Sequence, residues 1–110
     1  MTEEQYRDLK LDDVVFNEKT GIVRKISSQL SDPTKEIDEE KDYRWTNDFS
    51  GVYLSGIEGV RFKEKEDWHA LKNYEDFRDV PVWVRDQILM IKVNHIENFL
   101  MEFTNFSPRI

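Results

Sequence analysis

Short apolar runs broken by polar turns dominate most of this chain, and the spacing changes near its end. Val14-Val15-Phe16 and Ile22-Val23-Arg24-Lys25-Ile26 flank Asn17-Glu18-Lys19-Thr20-Gly21, and β-branched runs on either side of a Gly-ended turn predict a hairpin. Tyr43-Arg44-Trp45-Thr46 predicts a further strand, closed by the turn-rich Asn47-Asp48-Phe49-Ser50-Gly51. Val52-Tyr53-Leu54 and Val60-Arg61-Phe62 surround a segment in which Gly56 and Gly59 permit a tight turn or bulge, so a second hairpin is expected there. A third is expected from Val80 to Val84 and Ile88 to Val93 around Asp86-Gln87, with its second arm apolar enough to lie centrally in a sheet.

Helical signals enter at three places. Thr2 followed by Gln5 has the outline of a capping box for a short N-terminal helix. Trp68, Leu71, Tyr74 and Phe77 recur at three-residue steps, which predicts a mid-chain helix over Lys63 to Phe77 that Pro81 must end. From Asn94, a candidate cap, Ile96, Phe99, Leu100 and Phe103 follow i, i+3, i+4, i+7 spacing and predict a closing amphipathic helix. The expected fold class is therefore α+β: a small, strongly bent antiparallel sheet with one mid-chain helix and a C-terminal amphipathic helix, in a single domain over residues 1–110.

Leu9-Lys10-Leu11-Asp12-Asp13-Val14-Val15-Phe16 followed by Thr20-Gly21-Ile22-Val23-Arg24-Lys25-Ile26 resembles the opening hairpin of SH3-like small barrels, KOW-type segments among them. The resemblance covers about the first quarter of the chain, and Asp12 stands where such segments carry a glycine. It implies SH3-like barrel elements, a framework that binds nucleic acids, peptides or other proteins and does not by itself define a function.

Composition narrows the chemistry. With no cysteine, the chain excludes disulfides, thiolate zinc sites, iron–sulfur clusters and cysteine nucleophiles, which fits a cytoplasmic setting. Met1 to Lys10 is charged from its third residue, unlike a secretory signal, and no apolar run reaches membrane-helix length, so no membrane association is expected. The net charge of −7 opposes general binding to phosphate backbones. Much of that excess lies in an acidic surface loop at 29–42, where Asp32, Glu36, Asp38, Glu39, Glu40 and Asp42 face only Lys35 and Lys41.

Catalytic motifs are not evident. The chain has no Gly-x-Ser-x-Gly elbow, no Walker loop and no GxGxxG, and Asp38-Glu39-Glu40-Lys41-Asp42 lacks the alternation and central glycine of a calcium loop, so no metal or cofactor is expected. His69, beside Glu66 and Asp67, and His95 are the only candidates for acid–base work, and each also reads as a packing or surface residue. The aromatic residues allow two placements. Tyr43, Trp45 and Tyr53 either pack beneath the acidic loop and the helices, or share the outer face of a sheet, where they would stack on bases or centre a protein interface.

The preferred reading is a small acidic protein-binding module. Glu36, Asp38, Glu39, Glu40 and Asp42, with Tyr43 and Trp45 as aromatic anchors, would engage a basic surface on a partner protein. The chain is similar in size and charge balance to small phage and mobile-element proteins that inhibit a host factor by imitating nucleic acid. The alternatives are a nucleic-acid or nucleotide binder using Lys19, Arg24, Lys25 and exposed aromatics, and an enzyme using His69 or His95. Oligomeric state stays open.

Overall fold

The structure is a computed structural model that describes residues 1–30, 32, 34–54 and 58–90. The chain forms two compact units, residues 1–79 and 80–110. In the first, a short helix α1 (Glu3–Arg7) precedes strands β1 (Val14–Asn17), β2 (Ile22–Ile26), β3 (Tyr43–Asn47), β4 (Gly59–Arg61) and β5 (Trp68–Ala70). The capping box is present: the Gln5 amide donates to Thr2 Oγ1 at 3.1 Å and the Thr2 amide donates to Gln5 Oε1 at 2.9 Å.

All strand pairs are antiparallel and the order is β4-β3-β2-β1-β5. The first hairpin pairs Val15 with Arg24 and Phe16 with Val23, and Gly21 closes its turn at φ 71°. The sheet stays open. β4 and β5 are its two edges, separated by the other three strands, so the strongly bent sheet and SH3-like barrel implied by the opening hairpin are not formed. Barrel closure needs the end strands to meet, and here β5 has attached to the free side of β1 instead.

The predicted mid-chain helix is also corrected. Phe62–Asp67 and Leu71–Asn73 are 3-10 turns, and between them Trp68–Ala70 is a strand with Trp68 and Ala70 buried and His69 turned to the other face. Leu71 and Phe77 each begin a separate 3-10 turn, Trp68 lies in the strand and Tyr74 follows Asn73 in extended conformation, so the three-residue step traces no continuous helix. The expected second hairpin is likewise replaced: Tyr53 bridges Asn47, and β4 pairs with β3 through Trp45↔Gly59 and Tyr43↔Arg61. Both segments pair along β3, and among the described residues no pairing joins them to one another.

In the second unit, residues 82–90 are helical where a hairpin was expected. The Pro81 carbonyl accepts from the amides of Val84 and Arg85 at 3.0 and 3.1 Å, and proline is tolerated at such a start because it has no amide to leave unpaired. Val80, Val84 and Ile88 are buried at a four-residue period that β-branched composition disguises as strand. The predicted closing helix from Asn94, and His95, lie outside the described residues.

One face of the sheet carries a core of Tyr6, Leu9, Val15, Ile26, Val60, Trp68 and Ala70. The Tyr6 hydroxyl donates to the Val60 carbonyl at 3.0 Å, and burial pushes the phenol up to about 12.

Candidate functional site: the outer face of the third strand

Strand β3 alternates sharply. Arg44 and Thr46 point inward and are fully buried, while Tyr43 and Asn47 are half-buried and Trp45 is exposed. The inward guanidinium is satisfied by main chain: Arg44 donates to the carbonyls of Tyr6 at 3.2 Å, Leu9 at 2.5 Å and Ser28 at 2.9 Å. An Arg fork can reach several carbonyls at once, which lets this charge lie under the sheet. With Arg44 inward, the strand's period of two sends Tyr43 and Trp45 to the opposite face.

There they form a row. Tyr43 and Trp45 meet edge to face with centroids 4.6 Å apart, and Trp45 and Tyr53 are tilted at 5.9 Å. Tyr53 is placed by its bridge to Asn47, and that return is organised by Asp48, whose Oδ1 accepts from the Ser50 and Val52 amides at 3.0 Å each. Gly51 supplies the left-handed position at φ 86°. Trp45 is 37% exposed and Tyr53 is 52% exposed. These rings therefore occupy the outer placement, not the one beneath the acidic loop. At the β4 end, the Arg61 guanidinium lies 5.1 Å from the Tyr43 ring centroid. Burial raises the Tyr43 phenol, an effect that Arg61 opposes and that the carboxylates of Glu58 and Glu64 reinforce.

The acidic residues are divided between structural and free roles. Asp38 and Asp42 hold a closed turn: the Asp38 amide donates to Asp42 Oδ2 at 2.6 Å, while Asp38 Oδ1 accepts from the Glu40 amide at 3.0 Å and the Lys41 amide at 3.3 Å. Asp32 makes the same kind of turn with the Thr34 amide and hydroxyl at 3.0 and 2.6 Å, and these bonds hold its carboxyl below the usual range. Glu36, Glu39 and Glu40 are exposed. Asp42 acts electrostatically on Tyr6, in the core on the far face, whereas Tyr43 and Trp45 share the outer face. Asp42 adjoins Tyr43 in the chain, and its carboxylate is engaged by the Asp38 amide within the acidic turn. The acids acting on Tyr43 are instead Glu58 and Glu64, which sequence reasoning missed because they lie in the chain near β4 and become neighbours only through β3–β4 pairing.

The other candidates are placed apart. Lys19 is paired with Asp67 at 2.7 Å and Lys25 with Asp12 at 3.7 Å, and Arg24 donates to its neighbour's carbonyl at Val23. His69 stacks on Phe16 at 5.3 Å and borders a cavity of about 190 Å³ with Met1, Gln5, Asn73 and Tyr74. Its sequence neighbours Glu66 and Asp67 act on the Met1 ammonium, and Asp67 also holds Lys19. Among the described residues no three His, Cys, Asp or Glu side chains are grouped to hold a metal, and no helix is long and apolar enough to cross a membrane.

Comparison with known proteins yields no matching family model, no matching curated protein and no matching solved structure. The class that can be stated is an α+β chain with an open five-stranded antiparallel sheet. No observation on the molecule points to a phage origin or to inhibition of a host factor, and that part of the expectation is not retained.

Proposed function

We propose that this chain is a protein-binding module that docks a basic partner surface through the outer face of β3 and β4. The observation that carries the reading is the row of Tyr43, Trp45 and Tyr53 along β3, in which Trp45 and Tyr53 are exposed and Tyr43 is half-buried. Tyrosine and tryptophan anchor interfaces because they bury large area at low conformational cost. The free carboxylates of Glu36, Glu39 and Glu40 supply a steering field, while Asp38 and Asp42 keep the turn that presents them. A cytoplasmic partner belongs to this reading, since the chain carries no cysteine.

The test is parallel affinity capture from the native cell with the tagged chain and a Trp45→Ala/Tyr53→Ala variant, after circular dichroism has shown equal folding. The expected outcome is a defined protein retained by the parent chain and reduced roughly tenfold or more with the variant, the scale of an interface hot spot. Equal retention by both chains, or nothing retained by either, contradicts the proposal.

A further inference from the structure

The docking face already holds one cation of a particular kind. Arg61 places its guanidinium 5.1 Å from the Tyr43 ring centroid, and Glu58 and Glu64 act on the same tyrosine. One end of the row is therefore a guanidinium lying against an aromatic ring. The next two rings continue the aromatic part of that arrangement: Trp45 stands 4.6 Å from Tyr43, Tyr53 stands 5.9 Å from Trp45, and both are more open to solvent than Tyr43. Indole is the side chain that attracts a cation to its face most strongly.

Resting on the docking function above, we propose that Trp45 and Tyr53 receive an arginine side chain of the partner, its guanidinium laid on the rings and drawn in by the net negative charge of the chain. Charge complementarity selects this occupant: the chain carries −7, and Glu36, Glu39 and Glu40 are exposed on the turn leading into β3. A nucleobase could stack on the same rings, but its phosphates would approach a net negative molecule whose Lys19 and Lys25 are already paired. Arginine is preferred to lysine because its planar, weakly hydrated head stacks on a ring without losing its charge.

The experiment titrates the isotope-labelled full chain, at low salt, with two short peptides identical except that one carries arginine and the other citrulline, its neutral isostere. The Trp45 indole N–H resonance reports the site. The arginine peptide is expected to shift that resonance saturably and to bind roughly tenfold more tightly than the citrulline peptide, and a folded Trp45→Leu variant is expected to lose the preference. Equal binding of the two peptides, no binding of either, or shifts confined to Glu36, Glu39 and Glu40 with Trp45 unmoved would overturn the assignment. If affinity capture still depends on Trp45 and Tyr53 while the peptides show no preference, arginine recognition falls and the docking function stands. If both dependences vanish, both fall.

Discussion

Arg44 ties three separate stretches of chain to β3: the end of α1 through the Tyr6 carbonyl, the following turn through Leu9, and the exit from β2 through Ser28. Burial lowers the pKa of its guanidinium, and Tyr6 and Asp13 act in the opposite direction. Replacing it with methionine fills much of the volume but leaves those carbonyls without their donor, so Arg44→Met is expected to destabilise the fold by about 3 kcal/mol or more. Urea unfolding at neutral pH measures this, and a loss below about 1 kcal/mol would contradict the assigned role. The inward arginine was not legible beforehand. In Tyr43-Arg44-Trp45-Thr46 a period of two says only that Arg44 opposes the rings, and the usual preference for buried aromatics would have turned the strand over. Asp12 was not legible either: its φ of 69° lies in the left-handed region, which aspartate tolerates and which the SH3-like resemblance, corrected by the open sheet, gave no valid ground to expect.

At the scale of elements, β3 and β4 depend on the absence of a side chain at Gly59. A methyl group there would lie 2.5 Å from the Arg44 carbonyl oxygen and 2.6 and 2.7 Å from Cε1 and Cζ of Tyr43. The ring can swing away, but the carbonyl belongs to the strand pair. Gly59→Ala is therefore expected to cost about 1–3 kcal/mol and to release Tyr43 from Arg61. Loss of the ring-current shift on the Arg61 side chain would report that release, and an unchanged shift with unchanged stability would contradict it. Elements defined by local chemistry were readable, as the Thr2–Gln5 cap and the Gly21 hairpin show. Elements defined by a distant partner were not. Trp68–Ala70 is a strand because β1 offers it a free edge, and Tyr53 bridges the end of β3 because Asp48 folds the chain back early.

At the scale of the whole molecule, the charge imbalance acquires a direction from the fold. Lys19, Lys25 and Lys72 are held by Asp67, by Asp12, and by Asp8 and Asp13, while Glu36, Glu39 and Glu40 remain exposed on the turn leading into β3. The acidic excess itself could be read from composition, but its relation to the rings could not, because that depends on which way β3 faces. The most direct test of that orientation is the solvent accessibility of the tryptophan indoles, read as line broadening by a soluble nitroxide in the free protein. The account predicts strong broadening of Trp45 and protection of Trp68, which is 5% exposed. A Trp45 resonance as protected as that of Trp68 would mean that β3 faces the other way, and the docking surface would be lost with it.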